Sequence, residues 1–95
     1  MINNNLKRLI VKIFGQVQGV FFRSYTQKTA EDLGLTGWVQ NESDGSVLVI
    51  AEGEKLKLKD FLEFLKKGPN SARVSKIEIK WEKATGEFKN FEIKY

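Results

Sequence analysis

The chain contains no cysteine and no histidine. Without cysteine there are no disulfides, no thiolate nucleophile and no sulfur-ligated metal, a usage compatible with a reducing compartment. With histidine missing too, phosphohistidine and phosphocysteine intermediates, Ser-His-Asp triads and the commonest zinc and iron sites drop out. Long apolar runs are also lacking. The run beginning at Leu9 is broken by Lys12, too short for a signal-peptide core, and nothing approaches the roughly eighteen apolar residues of a membrane span. A cytoplasmic location is therefore expected. Any catalysis must rest on backbone amides, Asn or Gln amides, Lys, Arg and carboxylates.

What is present suits a single folded unit. Its 95 residues allow one core, and 41% hydrophobic against 29% charged residues supply enough apolar mass to fill it. The expected unit is one domain over residues 1–95, with residues 1–6 a flexible lead-in. The net charge of +4 comes mostly from lysines interleaved with acids. Such a balance fits a solvated surface, and would equally suit nucleic acid, a membrane surface or small anions.

Periodicity divides the chain into elements. Leu9, Val11 and Ile13 alternate as in a strand, and a turn bearing two glycines, Gly15 to Gly19, follows. Phe22, Tyr25, Thr29, Ala30 and Leu33 recur at helical spacing, with Gly34 at the position of a left-handed cap. Residues 35–41 and 47–51 read as a hairpin around Asp44-Gly45. Leu58, Phe61, Leu62 and Leu65 mark a second helix, ended by Gly68-Pro69. Ile77, Ile79 and Trp81 alternate with charged residues, predicting a strand with one face on the core. Phe91, Ile93 and Tyr95 form a last short strand, and Trp81, Phe91 and Tyr95 are all expected in the core. The order βαββαβ plus a short C-terminal strand predicts an α+β, ferredoxin-like split βαβ sandwich: a mostly antiparallel sheet with two helices on one face.

Topology brings two segments together. A right-handed crossover makes the first two strands parallel, so the turn after Phe14 and the strand end at Asn41 share one edge. The first of these leads from a strand through Gly15 and Gly19 into a helix, and unpaired amides at a helix start suit a phosphate. Arg23 lies in the first helical turn, where the macrodipole disfavours a cation unless an anion joins it. The local pattern leaves open that Arg23 points to solvent, that Gly19 merely turns the chain, and that Asn41 only bonds its own backbone.

The segment Gly15-x-Val17-Gln18-Gly19-Val20-x-Phe22-Arg23 resembles the signature of the acylphosphatase family. Gly37-Trp38-Val39-x-Asn41-x-x-Asp44-Gly45-x-Val47 is similar to that family's second signature, and the likeness runs from Leu9 to Tyr95. The resemblance implies hydrolysis of the carboxyl-phosphate bond of acyl phosphates. It implies that Arg23 binds the phosphate, that the loop amides of Gln18, Gly19, Val20, Phe21 and Phe22 surround its oxygens, and that Asn41 positions the attacking water. Many members carry Gly where this chain has Phe21, and others carry bulky residues there.

Such an enzyme is expected to use no cofactor and no metal. Asp44 lies in a turn, Glu31-Asp32 on a helix face, and the other acids alternate with lysines, so no metal-ligand spacing exists. The partners implied are a small-molecule acyl phosphate, with inorganic phosphate as product and competitive inhibitor; a monomer with neither nucleic-acid nor membrane partner is expected. Two other readings remain. A ferredoxin-like sheet with basic charge can bind single-stranded RNA, though the RNP1 pattern is absent. A non-catalytic interaction module is the second; hydrolysis by the isolated chain separates it from an enzyme.

Overall fold

A computed structural model describes residues 5–95. Seven elements follow in the order β1 (Leu6–Gln16), α1 (Phe22–Asp32), β2 (Thr36–Asn41), β3 (Val47–Glu54), α2 (Lys55–Lys67), β4 (Arg73–Lys83) and β5 (Phe91–Lys94). They form one five-stranded sheet in the order β4-β1-β3-β2-β5, antiparallel except where β5 runs parallel to β2. Both helices pack on the same face, as the ferredoxin-like reading expects. Of the six residues expected to lead in flexibly, the first four lie outside the described residues. Leu6 already belongs to β1, opposite Glu54.

Period two decides which side chains meet the helices. Leu9, Val11 and Ile13 of β1, Val39 of β2, and Val47, Val49 and Ala51 of β3 are fully buried on the helix side. Leu58, Phe61 and Leu65 of α2 are buried against them, with Phe61 packed edge-on to Phe91, ring centroids 6.0 Å apart. In α1 the buried stripe is Phe22, Thr26 and Ala30, spaced by four, rather than a stripe through Tyr25, which is half-exposed. The helix ends in a Schellman motif: Leu35 N–H donates to Ala30 O (2.9 Å) and Gly34 N–H to Glu31 O (3.0 Å).

Three expectations about the strands need correction. β1 does not end at Gly15; after an irregularity between Phe14 and Gly15 it stays paired with β4 to Gln16. A Cβ on Gly15 would stand 2.0 Å from Arg73 O, so glycine is what allows this close approach. Ile79 and Trp81 are not core residues, being 41% and 38% exposed. Their strand lies at the sheet's edge, bonded to β1 alone, so their helix-side face extends beyond what α2 covers. Tyr95, 93% exposed, follows the last strand residue and lies outside the core altogether.

Candidate active site

β1 and β2 both pair antiparallel with β3, and Val47 stands opposite both Ile13 and Asn41. The strand ends that lead to the glycine loop and to Asn41 are therefore held side by side, with the start of β3 between them. Asn41 lies on the same side of β2 as Val39, the side that faces the helices. The result is a cleft of about 240 Å3 lined by Val17, Gly19, Phe21, Phe22, Arg23, Ser24 and Asn41.

The floor and wall of this cleft come from the loop and the start of α1. Gly19 has φ +75°, and a Cβ there would meet nothing within 4 Å, so glycine is needed for the left-handed turn rather than for room against the rest of the chain. Phe21 has φ 61° and ψ 20°, a left-handed conformation unusual for a bulky residue. The first helical bond runs from Tyr25 N–H to Phe21 O (3.1 Å), so the amides of Phe21, Phe22, Arg23 and Ser24 precede the helical ladder, and no side chain caps them. Phe22 anchors this end: its ring is 99% buried, tilted against Phe64 at a centroid distance of 6.5 Å.

Arg23 donates one hydrogen bond, to Lys94 O (3.2 Å), and its guanidinium lies 4.8 Å from the centroid of the Tyr95 ring. Among the described residues it makes no ion pair. Asn41 Oδ1 is buried without a hydrogen-bond partner, a condition shared among the described residues only with Thr26 Oγ1. Buried acceptors are ordinarily paired, so each such atom calls for a reason.

A polar chain ties the loop to the turn after Asn41. Gln18 Nε2 donates to Glu42 O and to Ser46 O, both at 2.8 Å. Asp44 Oδ1 accepts from the Ser46 amide (2.9 Å) and hydroxyl (2.5 Å), and Asp44 Oδ2 is 3.0 Å from Lys12 Nζ. The Ser46 hydroxyl and amide, with Lys12, hold the Asp44 carboxyl down to about 2. The bond that Lys12 donates to Asp44 in turn raises Lys12 above its ordinary value.

Of the expected site residues, Gly19, Phe21, Phe22, Arg23 and Asn41 meet at the cleft, whereas Gln18 and Val20 do not line it. Gln18 braces the loop instead, and Val20 O accepts from Ser71 Oγ (2.8 Å). Val17 and Ser24 line the cleft without having been expected. Ser24 was within reach of sequence reasoning, because a helix leaves its first four amides free and the fourth here is its own. Among the described residues no three carboxylates converge as a metal site would require, and no helix is long and apolar enough to cross a membrane.

Comparison with known proteins gives a consistent result. Residues 9–93 match the acylphosphatase family. The acylphosphatase of Syntrophotalea carbinolica is 46% identical over 88 residues, covering 93% of this chain and 96% of that one. That of Salinibacter ruber is 43% identical over 88 residues, 93% of each. The crystal structure of acylphosphatase from Bacillus subtilis matches with a TM-score of 0.90 at 34% identity, covering 94% of this chain and 99% of that chain. A match from the first core strand to the last, with relatives of the same length, means that this chain belongs to the acylphosphatase family, enzymes that hydrolyse acyl phosphates.

Proposed function

We propose that hydrolysis takes place in the cleft between the glycine loop and Asn41, by metal-independent in-line attack of water on the phosphoryl group. Arg23 and the cleft-lining amides of Gly19, Phe21 and Phe22 hold the phosphoryl oxygens, and Asn41 positions the water. The observation that carries this reading is Asn41 Oδ1, a buried acceptor with no partner, in the same cleft as an arginine that makes no ion pair among the described residues. A water donating to that oxygen removes the cost of the unpaired acceptor, and its lone pair is then free to approach phosphorus.

The chemistry asks for little more. Water forms a bond to phosphorus while the bond to the acyl oxygen breaks, the electron pair leaves on a carboxylate, and the proton lost by the water passes to a phosphoryl oxygen of the product. Its conjugate acid has a pKa of about 4, like Asp or Glu, so no general acid is required. A loose phosphoryl-transfer transition state needs its equatorial oxygens held and its nucleophile aligned. The Arg23 guanidinium, with most of its donors uncommitted, offers a planar fork for the first task. The product, inorganic phosphate, carries the same oxygens and is expected to compete with substrate.

Separating binding from positioning tests this. Asn41→Ala is expected to keep phosphate binding by calorimetry and to lose about 10²- to 10³-fold in single-turnover rate. Loss of phosphate binding in a folded Asn41→Ala protein would make Asn41 a phosphate ligand and end its role with the water. Turnover in excess chelator is expected to equal that without; activity lost to chelator and restored by Mg²⁺ would contradict the metal-independent mechanism.

A further inference from the structure

Phe21 is at odds with what folding alone would favour. Its backbone holds a left-handed conformation that glycine adopts without penalty, and its side chain is 76% exposed. The ring takes part in none of the aromatic or cation–π pairs found among the described residues, unlike Phe14, Phe22, Phe61, Phe64, Phe88 and Phe91. It does line the cleft. The other apolar side chains there, Val17 and Phe22, are buried, which leaves Phe21 as the exposed apolar side chain of the cleft.

In-line displacement decides where the rest of the substrate goes. The leaving oxygen departs opposite the attacking water, so with water at Asn41 the acyl group is directed away from Asn41, and Phe21 is the exposed apolar side chain among the other residues that line the cleft. We propose that Phe21 is a specificity-determining residue, a platform on which a flat apolar acyl group stacks, so that aryl acyl phosphates are favoured over acetyl phosphate. This rests on the cleft being the phosphoryl site. Offset or edge contacts between rings provide the selectivity, and a methyl group is too small to gain much from them.

The measurement is the ratio of kcat/KM for benzoyl phosphate to that for acetyl phosphate, in the wild type and in Phe21→Trp, Phe21→Leu and Phe21→Gly. The ratio is expected to hold or rise in Phe21→Trp, to fall in Phe21→Leu, and to fall roughly three- to tenfold in Phe21→Gly. Phe21→Leu keeps a Cβ on the same backbone, so a change in loop geometry peculiar to glycine cannot account for the trend. One ratio across all four proteins, including the case in which both substrates lose equally, overturns the proposal. Arg23→Ala assayed beside them reports on the cleft itself: wild-type turnover of acetyl phosphate in that variant rejects the phosphoryl site, whatever the ratios show.

Discussion

The two ends of the β1–β3 ladder use arginine in opposite ways. At one end, Arg8 pairs across the ladder with Glu52, Nε to Oε2 at 2.6 Å, and donates from Nη2 to Thr85 Oγ1 (2.8 Å) and to Glu87. Glu52 accepts in addition from the amides of Thr85 and Gly86, both at 2.9 Å, and the Arg8 guanidinium lies 5.1 Å from the centroid of the Phe88 ring. Five residues along the ladder, roughly 17 Å away, the other end opens into the cleft, where Arg23 has no ion pair among the described residues and Asn41 Oδ1 has no partner. A polar network whose members satisfy one another has nothing left to offer a ligand and serves the fold. One left incomplete makes the fold weaker locally and keeps its bonding capacity for something else.

The largest contrast should come from deleting the arginine at each end. Arg23→Ala is expected to lose phosphate binding and at least about 10³-fold in turnover, with little change in stability, because no native ion pair is broken. Arg8→Ala leaves Glu52, 4% exposed, without its charge partner, at a cost of about 3 kcal/mol, while kcat stays near wild type. Urea unfolding and kcat on both variants measure this. An Arg8→Ala protein as stable as wild type, or an Arg23→Ala protein that unfolds as readily as Arg8→Ala, would erase the distinction between the ends.

Acid is a second way to probe the difference, through the carboxyl buried at the Arg8 end. Burial alone would push the Glu52 carboxyl up, but the Thr85 amide, Arg8 and the Gly86 amide together hold it below its ordinary 4.5. Arg8, whose strongest support is the bond to Glu87, stays charged throughout. A carboxyl depressed in the folded state binds fewer protons there than in the unfolded chain, so its stabilisation is complete above 4.5 and declines as pH falls through the folded value. Stability is therefore expected to fall on acidification below about 4.5, and Glu52→Gln to flatten that part of the curve. A wild type and a Glu52→Gln variant with parallel stability curves between pH 5 and about 2.5 would remove Glu52 from the acid response.

How far each end could be read from the sequence follows from the same contrast. Arg23 and Asn41 were legible because a local motif names each and the β-α-β crossover brings their segments to one edge. The Arg8–Glu52–Thr85 network was not, because its members are 44 and 77 residues apart and only the β1–β3 register and the loop after β4 unite them. Periodicity found all seven elements, since alternation and the four-residue stripe are physical consequences of burial. It misplaced Trp81 and Ile79 because alternation tells which faces a strand has, not whether a helix reaches far enough to cover one. It passed over Thr26 because a stripe counted through Tyr25 and Thr29 runs one position round the helix from the buried row of Phe22, Thr26 and Ala30. The left-handed backbone at Phe21 had no local signal at all in this chain, since the residue that would announce it is glycine.

Thr26 offers the smallest test and isolates what an unpaired polar atom means. Its hydroxyl, like Asn41 Oδ1, is buried without a partner, although Thr29 on the same helix donates to the carbonyl of Tyr25 at 2.8 Å. The two orphans differ in setting. Asn41 opens on the cleft, while Thr26 is fully buried in the α1 stripe between Phe22 and Ala30, with no ligand to complete it. Replacing it with valine keeps the branched shape and removes a group whose desolvation nothing offsets. The helix propensities of threonine and valine are close, so backbone preference leaves the comparison undisturbed. Thr26→Val is accordingly expected to raise stability by about 1 kcal/mol and to leave kcat and phosphate affinity within about twofold of wild type. Thermal unfolding and steady-state kinetics decide it. If valine instead lowers stability, the hydroxyl has a hydrogen-bonding partner in solution, and the inference drawn from an unpaired atom at Asn41 loses its closest control.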